Sequence, residues 1–133
     1  MDLKIQKTVL LVEDESIIAM AEAQTIKRFG YNVIVANSGE KAEYAEETNR
    51  NIDLVLMDVN LGRGIDGIES ARRILRKRKV PIVFLTSHPF KDCAERLKGV
   101  SDYGYFSKNA FSFLSRSYIE HASTLQTRTN NFS

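Results

Sequence analysis

A chain of 133 residues with 43% hydrophobic content is sized for one domain with a substantial core. Nineteen basic against 17 acidic residues leave a formal charge of +2, too mild to single out a polyanionic partner. A single cysteine, Cys93, excludes a disulfide framework and a thiolate metal site, and the apolar runs are strand-length rather than membrane-length, so a cytoplasmic protein is expected.

The first strand is expected at Val9–Val12 and runs straight into Glu13 and Asp14. A helix follows, with Ile18, Ala21, Thr25 and Phe29 recurring at three- and four-residue steps and Gly30 as its C-terminal stop. The second strand spans Asn32–Ala36, and Ser38 is placed to cap a helix running to about Glu47. The third strand, Leu54–Met57, ends at Asp58, and a glycine-rich loop leads to a third helix with Ile68, Ala71 and Leu75 on one face. Pro81 opens the fourth strand, Ile82–Leu85, at a position proline tolerates. A short helix near Lys91–Leu97 precedes a fifth strand at Tyr103–Ser107, and Phe111, Leu114, Tyr118, Ala122 and Leu125 share one stripe of a last helix. Residues 7–125 form the expected domain, with 1–6 and 126–133 as flexible termini or linker.

Five alternating strand and helix units with short connections imply an α/β fold. The specific expectation is a doubly wound five-stranded parallel sheet in the flavodoxin-like order 2-1-3-4-5, with helices on both faces. In such sheets ligands bind beyond the carboxyl ends of the strands, which should bring Glu13, Asp14 and Asp58 into one crevice. Three carboxylates that close require a shared proton or a bound cation, and an all-oxygen donor set suits a hard ion, Mg²⁺ above all. Thr86 and Lys108, at the ends of the fourth and fifth strands, should rise to the same crevice. A carboxylate nucleophile, a cation-binding acid pair, a hydroxyl and an ammonium group are what phosphoryl transfer onto an aspartate requires.

In these motifs the sequence resembles the receiver domain of two-component response regulators: Leu11-Val12-Glu13-Asp14-Glu15, Leu56-Met57-Asp58, Leu85-Thr86-Ser87 and Tyr105-Phe106-Ser107-Lys108. The resemblance implies that Asp58 accepts a phosphoryl group from a phosphohistidine kinase or phosphotransfer protein. It implies Mg²⁺ held by Glu13, Asp14, Asp58 and the backbone carbonyl of Asn60. Thr86 and Lys108 would contact the phosphoryl oxygens, Ser87 and His88 would form the pocket rim, and Thr86 with Tyr105 would form the switch. Output, to a partner or a second copy, would leave through the face of helix 4, strand 5 and helix 5. Such a domain is a phosphoacceptor that slowly loses its own phosphate rather than a dedicated enzyme. The wording Gly104-Tyr105-Phe106-Ser107-Lys108-Asn109 is similar to receivers attached to sensor histidine kinases, so a receiver segment of a hybrid kinase is one alternative. A non-phosphorylated interaction module on the same fold is another. An aspartate-nucleophile phosphohydrolase is disfavoured because Asn60 stands where its second acid would be.

Three features depart from or distract from that pattern. Asn109 follows Lys108 where the family usually has proline, so a trans bond is expected there. Gly62-Arg63-Gly64-Ile65-Asp66-Gly67 satisfies G-x-G-x-x-G, but it stands outside the first βα turn and lacks the following acid, so the glycines read as turn residues. The run Arg72–Lys79, six basic residues in eight, reads as a solvated face at a helix C-terminus rather than a nucleic-acid site.

Overall fold

The computed structural model describes residues 6–62, 64–87, 94–97, 99–100, 105–107 and 119–121. In chain order the elements are β1 (Thr8–Val12), α1 (Ser16–Arg28), β2 (Asn32–Ala36), α2 (Gly39–Thr48), β3 (Ile52–Asp58), α3 (Gly67–Lys77), β4 (Ile82–Thr86), α4 (Ala94–Leu97) and β5 (Tyr105–Ser107). The strands pair in parallel in the order β2-β1-β3-β4-β5. Residues 119–121 are helical, while the other positions of the expected last helix, the Lys108–Asn109 bond and both chain ends lie outside the described residues.

Side chains alternate across a parallel strand, so a sheet covered on both faces must be apolar on both. Leu10, Val12, Val55, Met57, Ile82 and Phe84 pack on one side with Ala42 of α2 and Ile68, Ala71 and Ile74 of α3. Val9, Leu11, Leu54, Leu56, Val83 and Leu85 pack on the other with Ala23 and Ile26 of α1 and with Ile119. Burial of each such side chain contributes about 1.5–3 kcal/mol. The β1–β3 register slips by one residue between Thr8 and Val9, and there the Thr8 amide donates to the Asp53 carboxylate at 2.8 Å. That contact lets an acid sit inside an otherwise apolar strand.

The helix ends follow local chemistry. Ser38 accepts from the Lys41 amide at 3.1 Å and caps α2, and Asp66 accepts from the Glu69 amide at 2.9 Å and caps α3. Gly30, after α1, has φ +99°, the left-handed turn that glycine adopts without strain. The face of α1 differs from the expected stripe: Ala19, Glu22, Ala23 and Ile26 are buried, whereas Ala21 is exposed and Ile18, Thr25 and Phe29 are only partly covered. Apolar residues lie almost all round this helix, with Ile17 82% and Met20 64% exposed, so spacing alone did not fix its rotation. On α3, Ile74 is the deeper anchor and Leu75 packs at the margin.

The basic run is not simply solvated. Glu43 receives Arg73 at 3.8 Å and Lys77 at 3.0 Å, and Glu47 also receives Lys77. Arg78 pairs with the buried Glu46 and donates to the Ile52 carbonyl at 2.9 Å. Burial pushes the Glu46 carboxyl up from its ordinary value even though Arg78 and Arg50 pull it down. The hydroxyl of Ser70 donates to the Gly39 carbonyl at 2.9 Å, so α2 and α3 are joined along their length.

Candidate functional site

The strand register assembles the site. Val12 pairs with Met57, so the residues that follow, Glu13 and Asp58, emerge side by side from neighbouring strands. Glu13, Asp14 and Asp58 each bring a carboxylate oxygen within 4.8 Å of the others. Glu13 and Asp58 are buried, at 0% and 3% exposure, while Asp14 faces solvent.

Backbone amides help orient the buried acids: that of Glu15 donates to Glu13 Oε2 at 3.2 Å, and that of Asn60 to Asp58 Oδ1 at 3.1 Å. Unit charges about 4 Å apart repel by about 4 kcal/mol at an effective dielectric of about 20, a repulsion that a cation bound among the three carboxylates would relieve. The donor set is oxygen alone and one of its members opens to solvent, which fits a divalent hard cation.

The loop from Val59 to Asp66 is shaped by its neighbours. Gly62 and Gly64 have φ of +68° and +82°, as turn residues should. A Cβ on Gly62 would lie 2.8 Å from Asp14 Oδ2, and one on Gly64 would lie 2.6 Å from Glu40 Oε2. Gly67 corrects the sequence reading: it is the first residue of α3 rather than a turn glycine. A Cβ there would fall 1.9 Å from the Asp58 carbonyl oxygen, and the Gly67 amide donates to the Val59 carbonyl at 2.9 Å. The missing side chain lets α3 begin directly against the residue that ends β3, and only its place as the third glycine of the motif hinted at this.

Asp58 pairs with Leu85, so Thr86, the last residue of β4 and 1% exposed, lies one step beyond. Ser87 follows at the surface. Thr86 pairs with Ser107 and Phe84 with Tyr105, which fixes the backbone of the expected switch residue in β5. The side chain of Tyr105, and all of His88 and Lys108, lie outside the described residues. A link that sequence reading missed is the ion pair from Asp66 to Arg96 of α4, accompanied by a 3.4 Å bond from Arg72 Nη2 to the Arg96 carbonyl. Burial pushes the Asp66 carboxyl up, but the Glu69 amide and the Arg96 guanidinium hold it below its ordinary value overall.

A family model described as the response regulator receiver domain matches residues 9–113. The chain is 36% identical over 108 residues, 80% of its length, to the transcriptional regulatory protein PdtaR of Mycobacterium tuberculosis, of which the match covers 52%; it thus spans about half of that relative. The N-terminal domain of a response regulator/sensory box/GGDEF protein from Carboxydothermus hydrogenoformans superposes with a TM-score of 0.83 at 35% identity, covering 92% of this chain and 98% of that one. Response regulator TrrA of Thermotoga maritima, solved in complex with Mg²⁺ and beryllofluoride, gives a TM-score of 0.76 at 27% identity, covering 88% and 99%.

Proposed function

Because the chain belongs to the response regulator receiver domain family, whose members take phosphoryl groups from histidine kinases, we propose that Asp58 is its phosphoacceptor. The observation that carries this reading is the buried Asp58 carboxylate within 4.8 Å of an acid pair at the end of the adjacent strand. An Asp58 oxygen attacks the phosphorus of a phosphohistidine. The new P–O bond forms as the P–N bond breaks, and its electron pair returns to the donor imidazole. The chain's own groups prepare this step: the Asn60 amide holds Asp58 Oδ1, and the strand ends bring Thr86 alongside.

Receiver domains bind Mg²⁺ at an acidic pocket, and here Glu13, Asp14, Asp58 and the Asn60 carbonyl would hold it. Bound there, the ion supplies charge neutralisation for the transferring group. The Thr86 hydroxyl and the Lys108 ammonium would donate to phosphoryl oxygens, with Ser87 and His88 at the rim. A charge-assisted bond to Thr86 draws its hydroxyl toward Asp58 and vacates space for Tyr105, so output leaves through α4, β5 and the last helix. Hydrolysis by water at the same phosphorus returns free Asp58 slowly. No described helix is long and apolar enough to cross a membrane, in keeping with a cytoplasmic partner of a kinase or phosphotransfer protein.

Incubation with acetyl phosphate and Mg²⁺ tests the proposal. Intact-mass analysis should show one added phosphoryl group, absent in Asp58→Asn and absent without the metal. Labelling of Asp58→Asn at the wild-type rate would refute it.

A further inference from the structure

The basic run on α3 is split by the fold into two faces. Arg73, Lys77 and Arg78 turn toward α2 and are received by Glu43, Glu46 and Glu47. Arg72 and Arg76, one helical turn apart, line a different feature: a cleft of about 340 Å³ shared with Leu75, Gly99 and Val100. Arg76 is exposed and forms no ion pair or hydrogen bond with another described residue. Arg72 is only loosely engaged, 3.9 Å from the Glu69 carboxylate and 3.4 Å from the Arg96 carbonyl. Leu75 and Val100 give the cleft an apolar floor, and Gly99 leaves open space where a side chain would stand.

Guanidinium groups stay charged at all working pH and match a carboxylate with two parallel donors. No carboxylate is among the described residues lining this cleft, and among the described residues Glu69, at 3.9 Å from Arg72, is the one carboxylate paired with either arginine. We propose that the cleft between α3 and the turn at Gly99 and Val100 docks a short acidic segment of a partner protein, an aspartate or glutamate paired with Arg72 and Arg76 and a neighbouring apolar side chain seated on Leu75 and Val100. A nucleic acid fits less well, because a phosphate backbone needs a track of cations. Here the adjoining Arg73, Lys77 and Arg78 are already paired with the α2 glutamates, which leaves no such track. The proposal is independent of phosphorylation at Asp58.

A fluorescein-labelled peptide of alternating glutamate and leucine is the probe, titrated by anisotropy into the full chain, with amide shifts monitored at residues 75, 76, 99 and 100. Saturable binding is expected that weakens with salt and weakens about tenfold in Arg76→Gln, and the same peptide with glutamine for glutamate should fail to bind. Arg72→Gln should add to the loss. Arg76 is exposed and has no ion pair or hydrogen bond with another described residue, so its variant should melt like wild type, and a thermal melt beside the titration keeps the test clean. Absence of saturable binding, an unchanged affinity in Arg76→Gln, shifts at residues elsewhere, or tighter binding of a short single-stranded RNA than of the peptide would each overturn the proposal.

Discussion

Replacing Gly67 by alanine sets two effects of opposite sign against each other. Within a helix, alanine is favoured over glycine by about 1 kcal/mol, so an unobstructed site would be stabilised by the change. At Gly67 the new methyl would stand 1.9 Å from the Asp58 carbonyl oxygen, 2.8 Å from the carbon that bears it and 3.0 Å from Met57 Cγ. Two of these three atoms are backbone, anchored in a central strand that cannot swing aside as a side-chain tip would. The first turn of α3 must therefore retreat, and the Gly67 amide bond to Val59, 2.9 Å, must stretch. Overpacking of this kind costs about 1–3 kcal/mol, and a weakened backbone hydrogen bond adds about 1 kcal/mol. The expected net loss is about 2 kcal/mol, which for a domain of this size lowers Tm by roughly 8 °C. Thermal unfolding by circular dichroism reads this directly. The retreat of α3 pulls on the loop that joins it to Asp58, whose Asn60 amide holds the proposed nucleophile, and misplacing a reacting group by about 1 Å can slow a reaction by about 10²-fold, so acetyl phosphate labelling should also fall sharply. An unchanged or higher Tm would refute the reasoning, since it would mean that the close approach between α3 and β3 relaxes freely.

A Glu13→Gln, Asp14→Asn variant should bind Mg²⁺ more weakly yet melt higher than wild type in chelator, because the mutual repulsion of the acids goes with them; calorimetry with and without Mg²⁺ decides. Arg78→Ala should destabilise by about 3–5 kcal/mol at neutral pH, because it leaves Glu46 charged and buried. The raised Glu46 value means that the folded state binds this proton more tightly than the unfolded one, so ionisation opposes folding as pH rises through the folded value and is absent below about 4.5. The Arg78→Ala deficit, read by urea unfolding, should accordingly shrink toward acid pH. Asp66→Ala should cost about 0.5–2 kcal/mol through the lost cap. The Asp66 value is lowered, so its charged contribution is present above the ordinary 3.8 and lost as pH falls through the folded value; equal pH dependence of wild type and variant in acid would contradict it.

The central strands were legible because β1, β3 and β4 are buried on both faces, which leaves uninterrupted apolar runs, and because each ends abruptly at an acid or at Thr86. The same ends located Glu13, Asp14 and Asp58. The rotation of α1 was not legible: Ile17, Ile18, Ala19, Met20 and Ala21 spread apolar groups round the helix, and the inward Glu22 runs against hydropathy. The α2 glutamates and α3 cations are partners across 30 or more positions, a relation that local spacing cannot express. Gly67 was misread because a glycine kept for a close approach and one kept for a turn look alike in sequence. The Asp66–Arg96 pair joins a loop to a helix whose placement follows from no motif.

The way α2 is fastened to α3 bears on how this domain can be recombined with others. Ser70 reaches the Gly39 carbonyl, Ile65 lies where a Cβ on Gly39 would stand, and Glu43 and Glu46 answer Arg73 and Arg78. A graft that imported α2 alone from another receiver would arrive without its counter-charges and meet the wrong side chains beneath the loop after β3. The natural module of exchange is the continuous stretch from Ser38 to Arg78, carried as one piece.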